Sequence, residues 1–205
     1  MSISPLDITR IYIVRHGQTD SNKDDNIQGQ SDSSPYYNLN EKGVEEAHTV
    51  AKKLQHVFFD QFFSSDLKRA IRTCEIITGG KQPVTHKSIR ERDFKHWEGR
   101  PMTEFYIDAD ENWKQVESDE SVRDRALKRL KKIGELYKGK TVLVVTHGGL
   151  MRNVLIRILG LTCEVGDIIA SNASYYTLEY SSNGSWTLGS ERSGIYLPGE
   201  LAESS

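Results

Sequence analysis

The chain has 205 residues, 27% of them charged and 37% hydrophobic, with a formal net charge of −2. That length suits a single domain, expected over residues 1–205, with a core that needs no staples. The near-zero charge gives no whole-molecule attraction to nucleic acid or to an anionic membrane, so an anion site in this chain has to be local.

The run Ile11-Tyr12-Ile13-Val14 predicts a buried strand that ends in Arg15-His16-Gly17. Gln18 to Asn38 is polar and aperiodic, with Gly29 and Pro35, and its length marks a functional loop. Asn40 is an N-cap for a helix whose apolar face is Val44, Ala47, Ala51 and Leu54, with Leu39 and Val44 as a hydrophobic staple. Phe58 to Phe63 predicts a second strand, followed by Ser64-Ser65-Asp66. Leu67, Ala70, Ile71, Cys74 and Ile77 mark a helix that stops at Gly79-Gly80. Pro83 to Ile89 carries a weaker strand pattern.

The stretch from Met102 to Glu117 is acidic and irregular, and a lid is expected at about residues 100–120. An amphipathic helix follows from about Ser121 to Tyr137, with Val122, Ala126, Leu130 and Ile133 inward. Thr141 to Val145 predicts a strand ending in Thr146-His147-Gly148-Gly149, and the helix Leu150 to Leu159 stops at Gly160. Tyr175–Tyr180 and Ser185–Leu188 form a hairpin through Asn183-Gly184. From Pro198 the chain is small, polar and acidic, a loose tail. Alternating strands and helices with a terminal hairpin imply an α/β layered fold around a mostly parallel sheet.

No apolar run approaches the roughly 20 residues that span a bilayer. Met1 to Thr9 lacks the charged start and apolar centre of a signal peptide. Cys74 and Cys163 are isolated, without C-x-x-C spacing, as core thiols of a reducing compartment are. The expected location is cytoplasmic. Neither an apolar strip nor a heptad repeat decides between a monomer and a homodimer.

Two strands that each end in His-Gly place two imidazoles at the carboxyl edge of a sheet, where open α/β sheets bind ligands. A neutral imidazole is a competent nucleophile. If the electrophile is phosphorus, the remaining groups must hold anionic oxygens, and Arg15 and Arg69 supply bidentate donors. His147 donates from its ring, and Gly148 and Gly149 open a helix whose backbone N–H groups suit phosphate. Glu91 is the candidate proton donor to the leaving oxygen, since a neighbouring phosphate dianion favours the protonated carboxyl. Each residue alone has a plainer reading: a structural strand-end histidine, a surface-helix Arg69, a solvated Glu91, ordinary loop polars at Asn22 and Gln28. The repetition of strand-His-Gly is what overturns those readings. His48, His56, His86 and His96 lack that context and read as surface or structural residues. No Cys, Asp or Glu sits at ligand spacing from His16 and His147, so neither a metal nor another cofactor is required.

The same residues resemble the histidine phosphatase superfamily, in its branch of phosphoglycerate mutase-like phosphatases. Arg15-His16-Gly17-Gln18-Thr19-Asp20-Ser21-Asn22 is similar to its R-H-G-x-T-x-x-N signature. Ile27-Gln28-Gly29-Gln30-Ser31-Asp32 resembles its substrate loop, and Leu39 to Gly43 the L-x-x-x-G start of its first helix. Ser64 to Ala70 with Thr73, Glu91 with Trp97-Glu98-Gly99, and Val145 to Gly149 match further segments in family order, between about residues 10 and 190. The resemblance implies a three-layer α/β/α sandwich around a mainly parallel six-stranded sheet. It implies His16 as a nucleophile that forms a phosphohistidine, with Glu91 as proton donor. Arg15, Arg69 and His147 become the phosphate pocket, assisted by Asn22 and the Gly148 backbone, with Gln28 and Gly29 bordering the substrate. One departure is Lys95, where the family usually has glycine.

Phosphatases and cofactor-dependent phosphoglycerate mutases share this core. The mutases carry a longer insertion after the glutamate segment, with extra cations. Here residues 102–120 are short and set Glu104, Asp108, Asp110, Glu111, Glu117, Asp119 and Glu120 against Lys114. That favours a phosphatase of small phosphorylated metabolites, although Arg92 follows Glu91 as in the mutases and is placed to hold a substrate carboxylate. A non-catalytic phospho-ligand-binding module has no need of both His16 and Glu91, which this chain keeps. Which metabolite is the substrate is not written in these motifs.

Overall fold

The computed structural model describes residues 7–200. In chain order its elements are β1 (Ile8–Arg15), α1 (Asp20–Lys23), α2 (Glu41–Lys53), β2 (Gln61–Ser64), α3 (Lys68–Ile77) and β3 (Val84–Thr85). Then come α4 (Met102–Phe105), α5 (Ala109–Asn112), α6 (Asp119–Leu136), β4 (Thr141–Thr146), α7 (Gly148–Leu159), β5 (Ile169–Ser181) and β6 (Trp186–Tyr196). The six strands make one sheet in the order β3-β2-β4-β1-β5-β6. β1 to β4 pair in parallel, and only β5 runs against its neighbours.

Side-chain alternation along β1 and β4 builds the layers. Ile11, Ile13, Val142 and Val144 point to one face, where α6 (Val122, Ala126, Leu130, Ile133) and α7 (Leu150, Val154) cover them. Tyr12, Val14, Leu143 and Val145 point to the other, under Val50 and Leu54 at α2 and Ala70 and Cys74 of α3. The fold is therefore the expected α/β/α sandwich around a mainly parallel six-stranded sheet. A separate cluster of Ile27, Phe94, Trp97 and Phe105 lies under the segment after Gly99.

Several elements differ from the sequence reading. The strand expected over Phe58–Phe63 is Gln61–Ser64, and Phe58 is 82% exposed. Asp60 takes both backbone groups of Thr141, its N–H donating to the Thr141 carbonyl and its carboxylate accepting the Thr141 N–H, so strand pairing starts only at Gln61. Of Pro83–Ile89 only Val84–Thr85 pair, because the His86 imidazole accepts the Ser88 N–H and winds residues 87–89 into a 3-10 turn. The polar stretch after β1 contains α1, capped by Thr19 and Asn22 acting on each other's backbone N–H. β5 and β6 extend well past the predicted hairpin, through a bulge around Ala173. Of the tail, Glu200 accepts the Leu197 N–H and pairs with Arg192, while residues 201–205 lie outside the described residues. Cys74 is buried and Cys163 half-buried. Among the described residues no helix is long and apolar enough to cross a membrane.

α2 is turned relative to its expected face, burying Gly43, Ala47 and Val50 and leaving Val44 and Ala51 half-buried. The cause is a backbone-to-backbone contact. A Cβ on Gly43 would lie 2.0 Å from the Gln18 carbonyl oxygen, and one on Gly17 would lie 2.3 Å from that of Gly43. The chain leaving β1 is thus pressed directly against the first turn of α2. In an unobstructed helix interior Gly→Ala stabilises by about 1 kcal/mol, whereas overpacking costs about 1–3 kcal/mol. Gly43→Ala is expected to destabilise the protein by roughly 1–2 kcal/mol in urea unfolding, the overpacking term prevailing. A stabilised variant would show that the contact yields freely.

Candidate active site

Register places the two histidines. β1 and β4 are adjacent and parallel with Arg15 opposite Thr146, and the His16 N–H donates to the Thr146 carbonyl at 3.0 Å. The next residue of each strand therefore leaves the sheet at the same height. The His16 and His147 rings lie 5.1 Å apart between centroids, at 61°.

The His16 ring is almost fully buried, and its Nδ1 lies 2.8 Å from the Gly17 carbonyl oxygen. A carbonyl only accepts, so Nδ1 carries the proton and Nε2 keeps its lone pair. Burial, then the charges of Arg69 and Arg15, holds this imidazole well below its ordinary pKa of 6.5. His147 is pushed the same way, by burial first and then by Arg69 and the His16 ring. Both ring nitrogens of His147 are buried without a partner.

Two arginines flank the rings, Arg69 fully buried and Arg15 half-buried. Arg15 donates from Nη1 to the Ala170 carbonyl at 2.6 Å. Arg69, in the first turn of α3, donates to the Gly29 carbonyl at 2.8 Å and the Ser31 carbonyl at 3.1 Å. The Nε of each is buried and unpartnered. Burial lowers both guanidinium pKa values to about 10, so both stay charged at neutral pH. Their hydrogen-bond partners are neutral carbonyls; Glu91 acts on both charges from a distance without pairing with either, which leaves donors free for an anion. Arg69 is 1% exposed, so the plainer reading of it as a surface-helix residue does not hold. Asp32 ties the same loop to α3 by accepting the Lys68 N–H.

Glu91 sits at the N-terminus of α7. Its carboxylate accepts the Gly149 N–H at 2.9 Å, the Leu150 N–H at 3.1 Å and the Arg92 N–H at 2.9 Å. The Gly149 amide is therefore engaged, and of the two glycine amides expected to face phosphate only that of Gly148 is left without a carboxylate. A Cβ on Gly149 would lie 2.5 Å from the Glu91 Oε1, so only glycine admits the carboxylate there.

Arg15, His16, Asn22, Gln28, Gly29 and Arg69 line one cavity of about 720 Å³, together with Glu91, Arg92 and Gly148. His147 stands behind this lining, fully buried. Asn22 Oδ1 accepts from Thr19 N–H, Thr19 Oγ1 and Asn172 Nδ2. Gln28 is buried with its Oε1 unpartnered. Arg92 reaches the cavity, but its guanidinium is taken by the Glu117 carbonyl and the Asp119 carboxylate and lies 4.8 Å over the Trp113 ring. Met102, Tyr106 and Trp113 of the acidic segment roof the cavity.

Two residues were missed by the sequence reading. Arg152 lines the cavity from α7, one turn past Gly148, with its Nε buried and unpartnered. A lone cation among Leu150, Met151 and Val154 was the available signal. Asn172 reaches the site from β5, 150 residues from Asn22, and nothing local in the sequence announces it. Lys95, the departure from the glycine of the resemblance, adopts the left-handed conformation with φ of 55°. The Asp93 carboxylate accepts the Lys95 N–H at 2.9 Å, so the turn survives without glycine.

The family model of the histidine phosphatase superfamily (branch 1) matches residues 11–191. Phosphoglycerate mutase-like protein 4 of Arabidopsis thaliana is 30% identical over 190 residues, covering 84% of this chain and 81% of the relative. An uncharacterized phosphatase of Bacillus subtilis (strain 168), PhoE, is 31% identical over 177 residues, covering 85% of this chain and 90% of the relative. Among solved structures, a phosphoglycerate mutase from Bacillus anthracis str. Sterne superposes with a TM-score of 0.79 at 26% identity, covering 93% of this chain and 96% of that one. Motif order, a shared sheet and the match over most of the chain agree: the chain belongs to the histidine phosphatase superfamily, among relatives that include phosphatases and phosphoglycerate mutase-like proteins.

Proposed function

We propose that the protein is a metal-independent phosphomonoesterase acting on a small phosphorylated metabolite through a phosphohistidine on His16. The observation that carries this reading is a buried, neutral imidazole with a free Nε2, set between two guanidiniums that have no carboxylate partner. Nε2 attacks phosphorus as the ester P–O bond breaks, and Arg15, Arg69 and His147 hold the peripheral oxygens. Glu91, as the carboxylic acid, gives its proton to the leaving oxygen. In the second half Glu91 takes a proton from water as the water oxygen attacks phosphorus. The P–N bond then breaks, its electron pair returns to Nε2, and phosphate departs.

Hydrolysis is favoured over mutase transfer by the roof. Its cations are already engaged: Lys114 with Glu111, Arg100 with Glu104, Arg92 with Asp119. The mutase reading keeps one specific support, the unpartnered Arg152 in the same cavity.

Phosphate release from p-nitrophenyl phosphate is the expected activity, undiminished in EDTA. His16→Ala should abolish it, and Arg69→Gln should lower kcat/KM by about 100-fold, as loss of a transition-state donor does. No turnover of any phosphomonoester would overturn the proposal. Interconversion of 3- and 2-phosphoglycerate, primed by bisphosphoglycerate and faster than hydrolysis, would convert it to the mutase reading.

The neutral histidines also set a pH dependence. The unfolded chain protonates both near pH 6.5, whereas the folded chain does so only well below that. Between those limits the unfolded state holds more protons, so stability rises with pH and is lost on acidification. Each histidine removes up to about 1.4 kcal/mol per pH unit below that point. The urea midpoint of the ligand-free protein is expected to fall between about pH 7 and about pH 5.5, and less steeply in His147→Gln. A midpoint that does not move in that interval would mean that the folded rings take up protons over the same pH range as those of the unfolded chain.

A further inference from the structure

We propose that Asn172 is a positioning residue: by donating to both Asn22 Oδ1 and the His16 carbonyl, it fixes the Asn22 amide with its N–H₂ toward the phosphate site. This deepens the phosphatase reading and rests on it.

The argument begins where β5 leaves its register. β1 and β5 pair antiparallel as far as Val14 opposite Tyr175, and β5 and β6 lose register between Ala170 and Tyr175. Inside that irregularity Ala173 adopts the left-handed conformation, with φ of 53°. A non-glycine residue held there is strained, and such strain collects at functional sites. The bulge re-aims three groups at the site, as bulges do. The Ala170 carbonyl accepts from Arg15 Nη1, the Ala173 N–H donates to the His16 carbonyl at 3.1 Å, and Asn172 Nδ2 lies 3.4 Å from that carbonyl and 3.1 Å from Asn22 Oδ1.

The direction of both amides follows from partners that have no choice. The His16 carbonyl only accepts, so the Asn172 atom facing it is its N–H₂. The Thr19 backbone N–H only donates, so the Asn22 atom facing it is Oδ1. Oδ1 then has three donors: Thr19 N–H at 3.3 Å, Thr19 Oγ1 at 3.2 Å and Asn172 Nδ2 at 3.1 Å. A flipped Asn22 would set its N–H₂ against two obligate donors. The side chain lines the cavity with its N–H₂ as the remaining polar group. Thr19 alone holds Asn22 to its own short helix. Asn172 is the one contact among these that joins Asn22 to the backbone of His16, and so sets the distance between donor and nucleophile.

The test is a double-mutant cycle read by orthophosphate binding in calorimetry and by kcat and KM for p-nitrophenyl phosphate, with melting temperature as the control for folding. Asn172→Ala is expected to weaken phosphate binding about tenfold, the loss of one charge-assisted hydrogen bond, and to lower kcat. Asn22→Ala should do the same, and the double variant should be no worse than Asn22→Ala alone, because Asn172 acts through Asn22. Asn172→Asp keeps the shape and removes the donor, and it should cost more with Asn22 present than in the Asn22→Ala background. Additive losses, or an Asn172→Ala protein with a lower melting temperature but unchanged phosphate binding and kcat, would overturn the inference while leaving the phosphatase reading in place. A wild-type protein that binds no phosphate and turns nothing over would remove both.

Discussion

Everything at this site depends on the parallel pairing of β1 with β4. Because Arg15 lies opposite Thr146, the residue after each strand end is a histidine at the same height, and the two rings meet without either loop having to find the other. A slip of one residue would turn Ile11 and Ile13 to the wrong layer and part the rings together. The apolar alternation that fixes the core therefore also fixes the constellation. Stability and site geometry share one determinant, and Gly17 against Gly43 locks the chain that leaves it.

The electrostatics then follow from burial. Two guanidiniums stay charged in the interior, and two imidazoles beside them are driven neutral. Under the proposed function, the cations that help burial to keep His16 unprotonated are those that would receive the oxygens of a phosphoryl group. Holding them without a hydrogen-bonded carboxylate is costly. That cost is met by a core built on both faces of the sheet and by carbonyl acceptors at Gly29, Ser31 and Ala170. A carboxylate placed nearer would relieve the strain and fill the site.

What was legible in the sequence is what is local. β1, β4 and α6 carry periodic apolar runs, and their buried positions were readable residue by residue, Val122, Ala126, Leu130 and Ile133 among them. The two His-Gly strand ends were readable for the same reason. Arg69 by itself gave no sign of burial, since its carbonyl partners lie 38 and 40 residues away. Asn172 and the bulge that presents it depend on a non-local strain that alternation cannot encode. Arg92 was legible only in part: it lines the cavity, as its position beside Glu91 suggested, but its contacts with Asp119 and Trp113 come from distant residues. β2 was misplaced because Phe58 and Phe59 look like a strand, and only the Asp60 contacts with Thr141 show where pairing begins.

Glu91 and Arg92 also show how the roof and the chemical centre are joined. Consecutive residues send their side chains to different structures: Glu91 to the first amides of α7, Arg92 to Asp119 and the Glu117 carbonyl at the start of α6. Arg125, from α6, returns to the carbonyls of Arg90 and Glu91 and to the Glu117 carboxylate. The segment that carries Glu91 is thus held by the start of α7 on one side and by the start and body of α6 on the other. Under the proposed function, the residue that delivers the proton is therefore anchored through its neighbour to the start of α6. In that reading the groups that would hold phosphate belong to other elements: Arg15 to β1, Arg69 to α3 and His147 to the turn after β4.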